Sequence, residues 1–360
     1  MLNLGLLANT VQKNCHISDA RHAGDFTLCV FLMKMREYYR WEHQLSFSYN
    51  LPQQDVSAWL DEREAMWQGL EASAFEPLPL ERGVSDPFDT ETANRELIPR
   101  GYVYSGGYGR FHKPHFFLGT LLHKEERAGH TVVVSSCEYA RDLEAPPAML
   151  QGDTIFVRQE SVRRFLWEKI EEWRWNRRNE AMSRALACYD FEADAEGALD
   201  RMTQNETETM ILHELGEALA GERLGADWGA MRAGLARSRT EIAVRAVRDL
   251  LADCASTLPT LIERRNTPAL HFYFACFTGM RRELFPQALE SYRRWVARDD
   301  IEPLRAAIAE GEAHWLELAQ RLLAAHRTGG ADAEAAIERL LAASTGANPV
   351  CAVPAMSQKH

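Results

Sequence analysis

Residues 205–217 combine carboxylates and an imidazole at a spacing that suits a metal centre. At ~100° per residue, Glu206, His213 and Glu217 fall on one face of a helix, with His213 and Glu217 one turn apart. An imidazole and a carboxylate at this separation can bind one divalent ion, and Glu206, two turns away, can reach a second ion or a bridging water. The segment therefore predicts a site for iron, manganese or zinc, in which Glu214 is the candidate catalytic base.

Three interpretations of this segment stay open. Open positions on an iron or manganese site suit oxygen chemistry, which predicts a small-molecule oxidoreductase of the non-haem iron kind. A zinc-dependent hydrolase is a second interpretation, although Glu217 stands where the zincin motif has its second histidine. The third is a solvated helix face, because an apolar stripe follows the opposite face of the same helix at Leu212, Leu215 and Leu219.

Two further histidines are candidates to complete a metal site. His271 lies within residues 270–277, which contain no Asp, Glu, Lys or Arg, so its imidazole is predicted to be desolvated. His22 continues the apolar line of its helix, and Asp25 beside it is a candidate to orient the imidazole or to replace it as a ligand. The alternatives are a hydrogen-bonded core histidine for His271 and ordinary early-helix acids around His22.

A glycine-rich and aromatic stretch offers a different kind of site. The successive glycines of residues 105–109 can form a backbone nest for an anion, and Tyr108, Arg110 and His115 are candidates to line a substrate pocket. A hairpin turn needs the same glycines and is the alternative. The sequence has no Walker lysine, no G-x-G-x-x-G and no G-x-S-x-G, so these motifs support neither a nucleotide site nor a serine nucleophile.

The elements that must position these residues are mostly helical. Apolar spacing predicts helices at about 19–44 and 55–71, and β-branched and aromatic runs predict a short antiparallel sheet at about 101–136, with a fourth strand at 154–157. After residue 159 the pattern is helical almost to the end, which predicts an antiparallel bundle.

We therefore expect a mainly α protein with a smaller α+β N-terminal part. The predicted boundaries are 1–150 for the α+β part, 151–327 for the helical bundle and 328–360 for a low-complexity, disordered tail.

Charge and composition exclude several classes of partner. The formal net charge of -11 disfavours nucleic acid, and the apolar runs are too short to cross a membrane. The N-terminal residues lack the pattern of a secretory signal, and the seven cysteines contain no C-x-x-C pair. We expect a cytoplasmic protein whose partner is a small molecule or another protein.

Four segments carry a resemblance to a known group of proteins. They are residues 14–22 (NCHISDARH), 104–109 (YSGGYG), 145–149 (APPAM) and 213–217 (HELGE). With these segments the chain resembles a family of conserved bacterial proteins that has no assigned activity. The resemblance implies a bacterial cytoplasmic protein and supplies no catalytic residues. A non-catalytic binding or assembly protein, with its tyrosines and tryptophans at a partner interface, is therefore the alternative to a metal enzyme.

Overall fold

The computed structural model describes residues 2–109, 112–235 and 238–346. The chain divides into two units, of which the first comprises Met1–Asn179 with Leu186–Glu214 and the second comprises Glu180–Ala185 with Leu215–His360. Within the described residues, no helix combines the length and the apolar composition needed to cross a bilayer.

The first unit joins helices to a mixed β-sheet. Its helices are α1 (Leu4–His22), α2 (Leu28–Glu42), α3 (Gln53–Leu70), α4 (Thr90–Leu97) and α5 (Gln159–Asn176). A two-stranded ribbon is formed by β1 (Leu78–Leu80) and β2 (Gly83–Ser85). The main sheet is formed by β3 (Tyr102–Tyr108), β4 (Pro114–Arg127), β5 (His130–Arg141), β6 (Ala148–Gln151) and β7 (Thr154–Arg158).

The main sheet has the strand order β3-β4-β5-β7-β6. All of its neighbouring strands are antiparallel except β5 and β7, which are parallel. The sequence predicted an antiparallel sheet only, because the pairing of β5 with β7 depends on how the chain between them crosses over. Bulges interrupt the pairing of β4 with β5, and β5 continues to Arg141, beyond the predicted end of the sheet at 136.

The apolar residues of α1 explain why this helix lies against the sheet. Leu7, Val11 and Cys15 follow one another at intervals of four and are fully buried together with Phe116 and Leu118 of β4. Asn3 caps the N-terminus of α1, because its side chain accepts a hydrogen bond from the Leu6 amide.

The predicted helix at 19–44 is two helices in the structure. Helix α1 ends at His22, and α2 begins after Thr27. Phe26 and Thr27 between them have extended backbone angles, and Gly24 and Asp25 are poor helix formers at this point. The apolar spacing runs through the break, so periodicity alone did not reveal it.

The rest of the chain is helical. Helices α6 (Glu180–Ala187) and α7 (Ala195–Leu224) are followed by α8 (Ala226–Gly234), α9 (Arg239–Ala252), α10 (Leu258–Glu263), α11 (Thr267–Ala275), α12 (Gly279–Leu284), α13 (Pro286–Arg298), α14 (Glu302–Gly329) and α15 (Ala333–Gly346). Ser238 caps α9 by accepting a hydrogen bond from the Glu241 amide, and the pair forms the S-x-x-E capping pattern that is visible in the sequence.

Part of the tail that was expected to be disordered, 328–360, is helix α15, and residues 347–360 lie outside the described part of the chain. Ile337 and Leu341, one turn apart, are buried, and α15 contacts α14. The alanine-rich composition that suggested disorder is also compatible with a helix, since alanine has the highest helix propensity.

The first unit extends past the predicted boundary at residue 150.

Candidate anion-binding cavity

The first unit contains a cavity of about 1110 Å³, large enough for a small organic molecule. Its walls come from α1, α2 and the loop that follows α2, from α3, from the end of β5, and from the N-terminal turns of α5 and α7. The walls are rich in charged side chains, and their partners decide what the cavity can bind.

Arg141 ends strand β5 and lies in the cavity wall. Its main chain is held firmly: its amide donates to Gln12 Oε1 at 3.1 Å, and its carbonyl accepts from Gln12 Nε2 at 3.1 Å and from Tyr38 Oη at 3.2 Å. The guanidinium carbon lies 5.5 Å from the centre of the Tyr38 ring and 5.0 Å from that of Trp41. Cation–π contacts with two rings therefore keep this side chain in place.

Arg141 is a buried charge that lacks hydrogen-bond acceptors. The residue is 1% exposed, and neither Nε nor Nη2 has a hydrogen-bond partner among the described residues. Burial lowers the pKa of Arg141, and the neighbouring guanidinium of Arg164 lowers it further. The carboxylates of Glu138 and Glu160 act in the opposite direction, and an anion hydrogen-bonded to Nε and Nη2 would add to their effect.

Arg158 is a useful comparison, because its Nε and Nη2, the two atoms that lack partners in Arg141 among the described residues, both bind a carboxylate. Its Nε donates to Glu138 Oε1 at 3.1 Å and its Nη2 donates to Glu138 Oε2. Ser161 Oγ adds a hydrogen bond of 2.6 Å to the same carboxylate. Nε and Nη2 together form a bidentate edge that fits a carboxylate or a phosphate, and in Arg141 this edge has no acceptor within the part of the chain that the structure describes.

Glu160, in the first turn of α5, also lines the cavity. Its Oε2 accepts a hydrogen bond of 2.6 Å from the Glu138 amide, which holds the carboxyl group against β5. Burial and the negative charge of Glu138 raise the pKa of Glu160 to about 7. A carboxyl group with this pKa is present in both protonation states near neutral pH and can accept or donate a proton.

A second cluster of buried charges stands close to the same strands. His115 Nδ1 lies 3.1 Å from Asp142 Oδ2, and Lys113 Nζ lies 3.2 Å from Asp19 Oδ1. Burial acts to raise the pKa of Asp142, but the charge and hydrogen bond of His115 outweigh it and hold that pKa well below its usual range. All four side chains have partners, so the cluster is stable without a ligand.

The predicted substrate-binding residues occupy different places. His115 is buried in this charged cluster and lines a small pocket of about 10 Å³, which is about the size of one water. Tyr108 is exposed, and its ring stacks on Phe88 with 4.7 Å between centroids. Arg110 lies outside the described residues. Neither Tyr108 nor His115 is in the wall of the large cavity.

The predicted metal ligands of α7 lie in different environments. Glu206 is 1% exposed, its Oε2 has no hydrogen-bond partner among the described residues, and burial raises its pKa to about 8. His213 and Glu214 are half-buried, whereas Glu217 pairs with Arg248 at 2.8 Å.

The remaining candidate histidines have protein partners. His271 Nδ1 lies 2.9 Å from Tyr292 Oη, and the imidazole stacks on Trp295. His22 Nδ1 lies 3.2 Å from Asp25 Oδ2, so the expected pairing of these two residues is present. Over residues 2–109, 112–235 and 238–346, no group of three or more His, Cys, Asp or Glu side chains is arranged to hold a metal ion.

Sequence reasoning did not find Arg141 and Glu160. The predicted sheet ended before Arg141, so this residue had no assigned strand, and Glu160 falls at the start of the predicted helical region, where an acid is common. Acids favour that position through the helix dipole alone. A predicted strand that extended to residue 141 would have placed an arginine at the end of a buried strand.

Fold and cavity together define a mainly helical protein whose first unit carries a polar, arginine-lined cavity. Residues 6–158 match the N-terminal domain, and residues 163–344 the C-terminal domain, of the family of unknown function DUF6866. The chain therefore belongs to this family, which confirms the resemblance to a family without an assigned activity. Comparison with curated proteins and with solved structures gives no match.

Proposed function

We propose that the protein binds a small molecule through a carboxylate or phosphate group in the cavity of the first unit, with Arg141 as the anion-binding residue. The observation that carries this proposal is the bidentate edge of Arg141, buried and without an acceptor among the described residues. The cavity supplies the space for the rest of the ligand.

The energetics favour a ligand over an unpaired arginine. A buried donor without an acceptor costs about 1–3 kcal/mol, and more for a charged group. A bidentate, charge-assisted pair removes this cost and adds hydrogen bonds about twice as strong as neutral ones. Gln12 holds the main chain of Arg141, and the rings of Tyr38 and Trp41 contact its guanidinium. The side chain is therefore positioned before binding, which lowers the entropy lost on association.

Calorimetric titration with phosphate, acetate and succinate tests the proposal. We expect at least one of these anions to bind the wild-type protein, and Arg141→Met to weaken its Kd by about 100-fold, corresponding to ~3 kcal/mol. Arg174→Met is the matched control, because it removes one positive charge from an exposed pair with Glu171 outside the cavity. Equal affinity of the wild type and Arg141→Met for each anion would overturn the proposal.

The metal-dependent oxidoreductase predicted from the sequence is a second proposal. Its support is Glu206, a buried carboxyl group whose Oε2 has no acceptor or donor partner among the described residues. Elemental analysis of the purified protein tests it: near-stoichiometric iron, manganese or zinc that is lost in Glu206→Gln would support a metal enzyme, whereas equal metal content in both proteins would refute a site at Glu206. The zinc hydrolase using Glu214 depends on the same analysis.

Other expectations from the sequence also stay proposals. These are the antiparallel arrangement of the C-terminal helices, the cytoplasmic location, the bacterial origin and the absence of nucleic-acid partners. A binding or assembly protein with a protein partner is compatible with an anion-binding cavity, since a carboxylate can belong to a peptide as well as to a free small molecule.

A further inference from the structure

We infer that the ligand is an amino-carboxylate, whose carboxylate binds Arg141 and whose ammonium group binds Glu160. This inference rests on the proposed function and names the ligand class of the same cavity.

The balance of charges in the cavity walls supports a ligand that carries both signs. Five arginines and six acidic residues line the cavity. Most of them are paired: Arg40 with Glu37, Arg63 with Glu42, Glu138 with Arg158, Arg164 with Glu168, and Arg163 with both Glu196 and Asp200. Among the described residues, Arg141 and Glu160 are the lining charges that make no close ion pair, although each acts on the pKa of the other. A simple anion would neutralise only the first.

The position of Glu160 places a negative group within reach of the same ligand. The hydrogen bond from the Glu138 amide fixes its carboxyl group at β5, three residues before Arg141. Arg141 ends the same strand, and both Arg141 and Glu160 line the cavity. The charge of each acts on the pKa of the other, so the two groups lie close enough to interact. A short chain with an anionic and a cationic end can therefore span the two groups.

The protonation state of Glu160 gives the two ligand types opposite pH dependences. Since its pKa is about 7, Glu160 is mostly neutral at pH 6 and mostly charged at pH 8. A charged Glu160 attracts an ammonium group and repels a simple carboxylate. The charged groups that act on its pKa are Glu138 and Arg141 from β5 and Arg158 from β7. The other charges that line the same cavity are Glu37, Arg40 and Glu42 from α2, Arg63 from α3, Arg163 and Arg164 from α5, and Glu196 and Asp200 from α7.

The experiment compares matched pairs of probes by calorimetry at pH 6 and pH 8. The amino acids are glycine, β-alanine, 4-aminobutyrate and 5-aminovalerate, and the matched acids are acetate, propionate, butyrate and valerate. We expect at least one amino acid to bind at pH 8 about tenfold more tightly than its matched acid. Between pH 6 and pH 8 its affinity should rise about five- to tenfold, following the ionised fraction of Glu160, while the affinity of the acid falls.

Two variants separate the possible failures. Glu160→Gln keeps an oxygen that can accept from the Glu138 amide but carries no charge. It should therefore abolish both the preference for amino acids and the pH dependence, and at pH 8 it should bind the acids more tightly than the wild type does. If the acids bind as tightly as the amino acids and the wild type equals Glu160→Gln, the inference is overturned and the proposed function stands. If Arg141→Met binds all probes as the wild type does, the proposed function fails too. Circular dichroism of both variants confirms that they fold.

Discussion

Replacing Arg141 by methionine should change the stability of the folded protein little, although Arg141 is as deeply buried as Arg158. Arg141→Met removes cation–π contacts with Tyr38 and Trp41, each worth about 0.5–2 kcal/mol. It also removes two buried donors without acceptors, which recovers about 1–3 kcal/mol for each. The two effects oppose each other, so we expect a net change within ~1 kcal/mol, or a small gain.

Arg158→Met is the matched comparison, because it leaves the Glu138 carboxylate buried without its guanidinium. Removing one partner of a buried ion pair costs about 3–5 kcal/mol. For a unit of this size 1 kcal/mol corresponds to about 2–4 °C, which predicts a fall in Tm of about 6–20 °C for Arg158→Met and a change of at most a few degrees for Arg141→Met.

Thermal unfolding followed by circular dichroism, without added anions, measures both variants. A fall in Tm for Arg141→Met as large as that for Arg158→Met would show that Arg141 is already paired in the folded protein. In that case the argument for an anion at Arg141 would be refuted. A saturating anionic ligand should raise the Tm of the wild type and leave that of Arg141→Met unchanged.

Two further predictions test the electrostatics and the packing. The pKa of Glu160 is raised in the folded state, so the wild type should lose stability relative to Glu160→Gln as the pH rises from about 4.5 to 7. The expected loss is about 1–3 kcal/mol. A difference in Tm between the two proteins that is the same at pH 5 and at pH 8 would contradict this prediction. In helix α7, a Cβ at Gly216 would lie 2.4 Å from the Ala252 carbonyl oxygen, whereas one at Gly221 would meet only the end of a flexible side chain. Gly216→Ala should therefore destabilise the protein by about 1–3 kcal/mol, while Gly221→Ala should stabilise it by about 0.5–1 kcal/mol. Urea titrations that rank the two variants in the reverse order would refute the close approach of Gly216 to Ala252.

The sequence alone predicts the features that depend on neighbouring residues. The mainly helical character, the helix at Gln53–Leu70, the cap at Ser238 and four of the five strands of the main sheet follow from local periodicity, capping and turn chemistry. Strand β6 and the β1–β2 ribbon were not predicted. Local patterns failed where they are ambiguous: apolar spacing continues across the break between α1 and α2.

The cavity depends on contacts between residues that are distant in the chain. Arg141 and Glu160 line the same cavity because β7 pairs in parallel with β5 and leads directly into α5, a pairing that no local pattern specifies. The same pairing brings Arg158 next to Glu138, and the ion pair between them leaves the Glu138 carboxylate without a free edge for Arg141. Neighbouring donors compete for the available acceptors, and this competition decides which arginine has Nε and Nη2 donors without an acceptor. Only the tertiary structure brings those groups together.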